Sequence, residues 1–175
     1  SGCGVGAALC GLRPIVEIQL FDFVSLMMDS IVNQAAKARF MLGGETKVPI
    51  VFRGPQGAGI RLAAQHCQSL EAWFAHIPGL EVYTPSNAYD AKGLMISAIR
   101  SDNPVVFLEH KRMYLGAEQP VPEAPYALQP GCARIVRSGS DVTVIALMAM
   151  VERAEKAADL LARKGISVEL IDPRT

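Results

Sequence analysis

The sequence predicts an α/β protein whose parallel sheet is covered by helices on both faces. Short apolar runs alternate with segments of helical periodicity, in the order strand, helix, strand, helix, strand, and this alternation is typical of such sheets. Half of the 175 residues are hydrophobic and 19% are charged. A chain of this size can bury a substantial core in one domain, or in one domain and part of another.

The first two predicted elements are a small-residue helix and a strand. Gly2, Gly4 and Gly6 recur at every second position, which resembles a nucleotide-binding loop. No strand precedes them, however, so the pattern favours a helix that packs closely on the sheet. Residues 14–20 then form a near-continuous apolar run with one acidic residue, which predicts a buried parallel strand.

A longer helix is predicted over residues 24–41, where apolar residues recur at helical spacing. Asp22 stands just before it, and its carboxylate is expected to cap the first turn. Gly43 and Gly44 follow the last periodic residue and are expected to end the helix. The methionine-rich face of this helix is typical of a core or a subunit contact.

Residues 48–79 are the most informative part of the chain. They begin as a buried strand over 48–52, continue into a loop with glycines, and bring His66 and His76 to either side of a short helical turn. A parallel α/β sheet places ligands in the loops at the carboxyl ends of its strands. Glycine in such a loop lets the backbone approach a ligand closely. The sequence therefore predicts the functional site here, with Gly54, Gly57 and Gly59 in the loop.

The rest of the chain continues the alternation and then repeats it after a break. Residues 81–84 predict a strand, Ser86 or Asn87 is expected to cap a helix that runs to residue 99, and residues 105–108 predict another strand. Four prolines fall within residues 118–130, which predicts a surface linker. A βαβ unit follows, with a strand over 142–147, a helix over 151–164 that Gly165 ends, and a strand over 166–171.

Several side chains could carry chemistry. His66 follows the glycine-rich loop, where an imidazole can transfer protons near neutral pH, although it could equally tie the loop to backbone. His76 is favoured as a helix-ending residue, and His110, followed by two basic residues, as solvated surface. Phe23 could belong to the core or offer its ring to a heterocycle.

Arg53 directly follows the buried strand of the central stretch. Its guanidinium could bind an anionic group or pair with a carboxylate such as that of Glu17 or Glu109. We favour the pairing, because both acids stand at the ends of predicted strands.

Other function classes find no support in the sequence. There is no nucleophile elbow, no Walker loop and no G-D-G motif followed by Asn. The charges balance, which gives no electrostatic reason to expect nucleic acid. We find neither a signal peptide nor an apolar run long enough for a membrane helix. Four cysteines lack zinc-site spacing and are expected to be reduced thiols, namely Cys3, Cys10, Cys67 and Cys132.

From about Gly6 to Thr175 the sequence resembles the beta subunits of thiamine-diphosphate-dependent 2-oxo acid dehydrogenase components. The segments that carry the resemblance are GLRPIVEIQLFDF, VPIVFRGPQGAG, AAQHCQSLEAWFAHIPGLEVYTPSN, DAKGLM, NPVVFLEH, SDVTVIA and VELIDPRT. The resemblance implies a transketolase-like pyrimidine-binding domain over 1–119, a linker over 120–132 and the start of a transketolase C-terminal domain over 133–175. We expect the chain to be a fragment, because Ser1 is not Met and the second domain lacks its closing elements.

The resemblance also implies a cofactor and partners. The active site would lie between chains of an α2β2 heterotetramer, where the alpha subunit holds the diphosphate and Mg²⁺ and the beta subunit surrounds the aminopyrimidine ring. His66 matches the active-site histidine, which would stabilise or protonate intermediates and meet the lipoyl group of the acyltransferase. Phe23 matches the aromatic residue that packs on the pyrimidine. Gln19 and Leu26 match positions that line the same pocket.

Many members of this family hold a structural monovalent cation, usually K⁺, mostly through backbone carbonyl oxygens, which are the hard ligands that such an ion prefers. Ser101 replaces a common Asp in that set, and Asp102 is adjacent. The matching positions in this sequence are Ile50, Ala98, Ile99, Ser101 and Asn103.

Two readings of function follow from this resemblance. In the first, the chain is an enzyme subunit that decarboxylates a 2-oxo acid or cleaves acetoin and passes the acyl group to lipoamide. It would work in the bacterial cytoplasm, or in the mitochondrial matrix or plastid of a eukaryote. The glutamate that activates the cofactor in this family lies upstream of the region matching Ser1, and Glu17 does not replace it. The second reading is therefore an inactive truncated chain that serves as an assembly module. A single-chain transketolase is disfavoured, because the motifs are those of beta subunits.

Overall fold

The computed structural model describes residues 1–116 and 118–175, which form two sheets. The first sheet has four parallel strands in the order β1-β2-β4-β3, namely β1 (Ile15–Glu17), β2 (Val51–Gln56), β3 (Glu81–Tyr83) and β4 (Val105–His110). The second sheet has the order β5-β7-β6, with β5 (Arg134–Arg137), β6 (Val142–Ile145) and β7 (Val168–Asp172).

Helical segments connect these strands. The α-helices are α1 (Gly2–Leu9), α2 (Ala36–Met41), α3 (Glu71–Ala75), α4 (Ala88–Arg100) and α5 (Ala149–Ala162). Phe21–Met27, Ala64–His66 and Lys111–Leu115 are 3₁₀ helices, and Asp29–Ala35 is a π-helix. The predicted α/β class, with a parallel sheet and helices packed on it, is confirmed.

The first sheet separates two apolar clusters, because successive side chains of a strand point to opposite faces. Phe52 and Val106 face one side, where they pack with α1, with the helical segments of residues 21–36 and with α3. Val51 and Phe107 face the other side, where α4 covers them. The predicted small-residue helix is confirmed as α1, since a β-carbon at its Gly4 would collide with the side chain of Val16.

The first strand is shorter and more exposed than the sequence predicts. Only Ile15–Glu17 pair along the ladder, and Ile15 is 47% exposed. Because β1 is an edge strand, it has a neighbour on one side only. The amide of Ile18 still donates to the carbonyl of Arg53 at 2.8 Å, after which the chain bends into the first 3₁₀ helix.

The helix predicted over 24–41 is continuous but mixed, as it passes from 3₁₀ to π to α geometry. Its predicted end is confirmed, since the Gly44 amide donates to the Arg39 carbonyl at 2.8 Å and both glycines have positive φ. The predicted cap is wrong. Asp22 lies inside the first turn and is buried, and its carboxylate accepts a hydrogen bond from the amide of Gln68 instead.

The central strand begins later and runs further than predicted. It covers Val51–Gln56 rather than 48–52, and it pairs with β4 along its whole length. Gly54 therefore belongs to the strand and not to the loop. A β-carbon at Gly54 would collide with the carbonyl oxygen of Ile18 and with the ring of Phe21. The absence of a side chain there brings the start of the first 3₁₀ helix close to β2.

The predicted βαβ unit is confirmed, with β6 and β7 parallel and α5 between them. The sequence did not predict β5, which pairs antiparallel with β7. Its residues, Arg-Ile-Val-Arg, are too few and too charged to show an apolar pattern. Residues 118–130 contain neither helix nor strand and lie along α4, where Tyr126 stacks on Tyr89 at 4.4 Å and the hydroxyl of Ser97 donates to the carbonyl of Leu128 at 2.6 Å.

Candidate functional site

The loop after β2 carries His66, and it is closed at its base by backbone. The Gly57 amide donates to the Gln68 carbonyl at 2.7 Å. Gly57 has φ 88° and Gly59 has φ 117°, which are values that glycine adopts without strain. Between these glycines and His66 the chain runs over the surface, and it then forms the single 3₁₀ turn Ala64–His66.

A buried glutamine fixes the far end of this loop. The Oε1 atom of Gln56, the last residue of β2, accepts from the amide of Leu70 at 2.8 Å. Its Nε2 atom donates to Oε2 of Glu71 at 2.6 Å. The side chain is 1% exposed, so these bonds replace the water that a buried amide would otherwise need. Sequence reasoning missed Gln56, because its neighbours Gly54, Pro55 and Gly57 are typical of a loop.

The first 3₁₀ helix presents two apolar side chains beside this loop. Residues three apart eclipse one another in a 3₁₀ helix, so Phe23 and Leu26 lie in line along one face. The exposed fractions are 44% for Phe23 and 85% for Leu26. Gln19 is exposed at the bend that leads from β1 into this helix.

The structure brings Phe23 and His66 into contact. Their ring centroids are 5.4 Å apart and the ring planes are perpendicular, a favourable edge-to-face geometry. The imidazole is half-buried, so it can exchange protons with a bound molecule and with solvent. An exposed apolar row next to an imidazole suits a flat heterocycle, and these residues fit the aminopyrimidine ring that the resemblance implies.

A buried ion pair lies beneath the His66 segment. Nζ of Lys111 is 3.5 Å from Oδ2 of Asp22 and donates a hydrogen bond to the carbonyl oxygen of His66. Oδ1 of Asp22 accepts from the Gln68 amide at 2.9 Å. Burial by itself would raise the pKa of Asp22, but the hydrogen bonds from Gln68 and the charge of Lys111 outweigh it and hold the pKa below its ordinary value.

The other two histidines differ from each other. His76 ends α3 and is exposed, so its interpretation as a helix-ending residue is confirmed. The interpretation of His110 as solvated surface is wrong, since it is half-buried and packs against Gly57. Burial, followed by the nearby charges of Lys111 and Arg153, lowers the pKa of His110.

Arg53 pairs with acids, as the sequence favoured. Its Nε donates to Oε2 of Glu109 at 3.2 Å, its Nη2 also contacts that oxygen, and its Nη1 lies 3.5 Å from Oε2 of Glu17. Burial alone would lower the pKa of Arg53, but the hydrogen bonds and charge of Glu109 outweigh burial and raise it. The guanidinium therefore links β1, β2 and β4 at their carboxyl ends.

The five positions matched to a monovalent cation lie around the amino end of β4, and an arginine reaches two of their carbonyls. Nη1 of Arg13 donates to the carbonyl oxygens of Ile99, at 3.0 Å, and Ser101, at 2.8 Å. The Ile50 carbonyl accepts from the Val105 amide at 2.9 Å. The Ala98 carbonyl accepts from the Ser101 amide at 3.3 Å. A cation at these oxygens would therefore share or displace the contacts of Arg13.

Within residues 1–116 and 118–175, no three His, Cys, Asp or Glu side chains converge in a metal-binding arrangement. The four cysteines, all in the described part of the chain, are unpaired. No helix among the described residues is both long and apolar enough to cross a bilayer.

Two family models match the chain in succession. Residues 1–116 match the model described as transketolase, pyrimidine binding domain. Residues 131–175 match the model described as transketolase, C-terminal domain. The predicted site residues from Gln19 to Asn103 all fall within the first match.

Curated relatives are about half identical to the chain. The beta subunit of an acetoin:2,6-dichlorophenolindophenol oxidoreductase from Cupriavidus necator is 52% identical over 99% of this chain and 51% of its own length. The beta subunit of the pyruvate dehydrogenase E1 component from Rickettsia felis is 50% identical over all of this chain and 53% of its own length. A mitochondrial pyruvate dehydrogenase E1 beta subunit from Oryza sativa is 48% identical over all of this chain and 48% of its own. The chain thus spans about half the length of these relatives.

Solved structures support the fold. A split-gene transketolase, described as an inactive beta4 tetramer, superposes with a TM-score of 0.77 at 21% identity, over 98% of this chain and 52% of that one. A transketolase from Pichia stipitis superposes with a TM-score of 0.69 at 16% identity, over 93% of this chain and 23% of that one.

Proposed function

Because this chain belongs to the transketolase pyrimidine-binding domain family, we propose that it forms part of the beta subunit of a heteromeric 2-oxo acid dehydrogenase. With an alpha subunit, the complete beta subunit would carry out oxidative decarboxylation of a pyruvate-like 2-oxo acid, or cleavage of acetoin, and would transfer the acyl group to lipoamide. The identity of about half to pyruvate and acetoin dehydrogenase beta subunits over the whole chain supports this choice.

The single observation that carries the proposal is the contact between Phe23 and His66 at the carboxyl edge of the first sheet. The ring of Phe23 is exposed, so a heterocycle can pack on it. The imidazole of His66 lies next to that ring and can transfer a proton to or from the bound molecule. Leu26 extends the apolar surface by one turn, and Gln19 stands at its rim.

The residues of this chain would have separate roles in cofactor binding and in proton transfer. Phe23 and Leu26 would hold and orient the aminopyrimidine half of thiamine diphosphate, with Gln19 at its edge. His66 would give or take a proton at an imidazole nitrogen and would stabilise developing negative charge. When bound, thiamine diphosphate supplies the carbanion chemistry of the reaction. Its diphosphate and Mg²⁺ would belong to the alpha subunit.

The remaining assignments belong to the same proposal. The pyrimidine-binding domain would cover 1–119, the linker 120–132 and the C-terminal domain 133–175. The partners would be an alpha subunit, in an α2β2 assembly, and the lipoyl-bearing acyltransferase. K⁺ would bind at the carbonyls around Ser101 and Asn103. The enzyme would work in the cytoplasm of a bacterium, or in the matrix or plastid of a eukaryote.

The test is turnover by the complete beta subunit, co-expressed with the alpha subunit from the same source, on pyruvate and on acetoin. We expect His66→Ala to lower kcat for lipoyl-dependent acyl transfer by about 10²- to 10⁴-fold, the range for loss of a general acid–base group. His76→Ala is the matched control and should leave kcat unchanged, because His76 is exposed at the end of α3.

The outcomes separate the candidate functions. Turnover of neither substrate by the wild-type assembly, despite a stable complex with the alpha subunit, would favour the assembly-module alternative. Turnover that survives His66→Ala would remove the role given to His66. A preference for one substrate would decide between the pyruvate and the acetoin branch.

A further inference from the structure

A lysine and an aspartate form a buried ion pair directly under the site. Lys111 begins the 3₁₀ helix that follows β4, and its side chain is 4% exposed. The side chain of Asp22 is 1% exposed, and its Oδ2 atom lies 3.5 Å from Nζ of Lys111. That oxygen has no hydrogen-bond partner among the described residues. Each charge would be strongly destabilising in this place without the other.

The pair holds the backbone on both sides of Cys67. Nζ of Lys111 donates to the carbonyl oxygen of His66, and Oδ1 of Asp22 accepts from the amide of Gln68 at 2.9 Å. Asp22 is also the chain neighbour of Phe23, whose ring touches the imidazole of His66. The same helical turn therefore carries Phe23, which contacts the ring of His66, and Asp22, which contacts the backbone next to His66.

The loop before His66 needs such an anchor. Arg61 has φ 57° and Ala63 has φ 61°, and Ala63 combines its positive φ with ψ −170°. Residues with a β-carbon avoid this part of conformational space, and they persist in it only where the surroundings over-determine the backbone. The depressed pKa of Asp22 keeps its carboxylate charged, which maintains the anchor.

From these contacts we propose that Asp22 and Lys111 are positioning residues for His66. They fix the 66–68 backbone so that the imidazole stays against the ring of Phe23. This inference rests on the proposed function, in which His66 acts on the bound substrate. Neither side chain needs to touch substrate or cofactor for this role.

The test uses the double variant Asp22→Asn/Lys111→Met in the complete beta subunit with its alpha subunit. The new asparagine keeps an acceptor for the Gln68 amide, the new methionine has no donor for the His66 carbonyl, and no lone charge is left buried. The matched control is Glu152→Gln/Lys156→Met, which removes an exposed pair on α5 by closely similar chemical changes.

Two readouts distinguish positioning from a general loss of stability. The first is the NMR signal of the His66 ring in histidine-labelled protein, which is assigned by its absence in His66→Gln. The ring current of Phe23 shifts this signal while the two rings are in contact. The second is the split between kcat and KM. In the double variant we expect the His66 signal to move towards that of an exposed histidine. We also expect kcat to fall by about 10- to 100-fold, with little change in KM for the 2-oxo acid and no change in the control.

An unchanged His66 signal and an unchanged kcat in the folded double variant would overturn the inference. If that variant does not fold, hydrogen exchange in the wild type decides, because the inference requires the Gln68 amide to exchange far more slowly than those of Ala64 and Gln65. Equal exchange rates for these amides would also overturn it. Failure of the proposed function is a separate result, namely no turnover by the wild-type assembly while the His66 signal still responds to the double variant.

Discussion

The rings of His66 and His110 are both half-buried, and they have different neighbours. The ring of His66 meets the ring of Phe23 edge to face. His110 packs against Gly57, and its Nδ1 accepts from the amide of Arg112 at 3.3 Å. An imidazole that accepts from backbone and faces neighbouring cations is favoured in its neutral form.

The surroundings of His110 predict a pH dependence of stability. The pKa of His110 is lowered from 6.5 by burial, then by Lys111, Arg153 and Arg112, against an opposing effect of Glu71. The unfolded chain therefore binds the proton more readily than the folded chain. The contribution of His110 to stability is complete above about pH 6.5 and falls as the pH drops towards the folded pKa.

We expect His110→Gln to lose less unfolding free energy than the wild type as the pH drops from about 6.5 to about 5. Urea unfolding at several pH values measures this change. Equal slopes in the wild type and in His110→Gln would show that His110 does not resist protonation in the fold.

A second residue-scale prediction concerns Arg13, which would compete with K⁺ for the carbonyls of Ile99 and Ser101. We expect K⁺ to raise the melting temperature more in Arg13→Gln than in the wild type, because ligand stabilisation grows as the competing group is removed. The measurement compares KCl with choline chloride at equal ionic strength, with the exposed Arg163→Gln as control. A K⁺-specific shift in neither protein would argue against a cation site here.

At the scale of elements, apolar patterns identified most strands and helices but not their hydrogen-bond register. The methionine and alanine spacing after Asp22 predicted a helix, and a helix is present. That spacing cannot distinguish an α-helix from the 3₁₀ and π turns observed. The distinction has consequences for the site, because only the 3₁₀ register places Phe23 and Leu26 in line.

The site was predictable only in part, for a similar reason. His66 stood out by its place after a glycine-rich loop, and the pairing of Arg53 followed from acids at strand ends. Gln56 and Lys111 carried no such signal, and Asp22 was predicted only as a helix cap. Their partners are distant in sequence, and a buried polar side chain looks like a surface one until the fold is known.

The N-terminus of α4 is capped by Asn87, one of the two residues that the sequence predicted for this role. The side chain of Asn87 accepts from the Asp90 amide at 2.7 Å and donates to the Asp90 carboxylate at 2.7 Å. We expect Asn87→Ala to lower the unfolding free energy by about 1–2 kcal/mol, measured by urea denaturation. Asn87→Ser keeps a capping oxygen and should lose less. Equal losses in the two variants would contradict a capping role.

At the scale of the whole molecule, an ion-pair network built on two buried aspartates joins the two sheets. Oδ1 of Asp90, on α4, lies 3.1 Å from Nη2 of Arg174, and Oδ2 of Asp90 lies 3.6 Å from Nε of Arg134. Arg134 also reaches Asp172 at 3.5 Å. Both aspartates are fully buried. The amide of Thr84, just after β3, donates to the carbonyl of Arg174 at 2.7 Å, so backbone supports the same junction.

Removal of one acid from this network should therefore loosen the second sheet from the first. We expect Asp90→Ala to cost about 3–5 kcal/mol, the typical loss when a buried pair is broken from one side. Asp159→Ala, which breaks an exposed pair with Arg137, should cost less than about 1 kcal/mol. In calorimetry, we expect Asp90→Ala alone to lower the melting temperature or to split the unfolding transition in two. Similar losses of unfolding free energy in the two variants would refute the role of the network.

The strand order β1-β2-β4-β3 also bears on how the chain is made in the cell. Both β2 and β3 take β4 as their neighbour, so until residue 110 leaves the ribosome β2 is paired on one side only and β3 on neither. Unpaired edges of apolar strands attract other chains. At roughly 5–20 residues per second, translation keeps these edges open for seconds. A chaperone that shields nascent strands during that interval would raise the soluble yield of this chain.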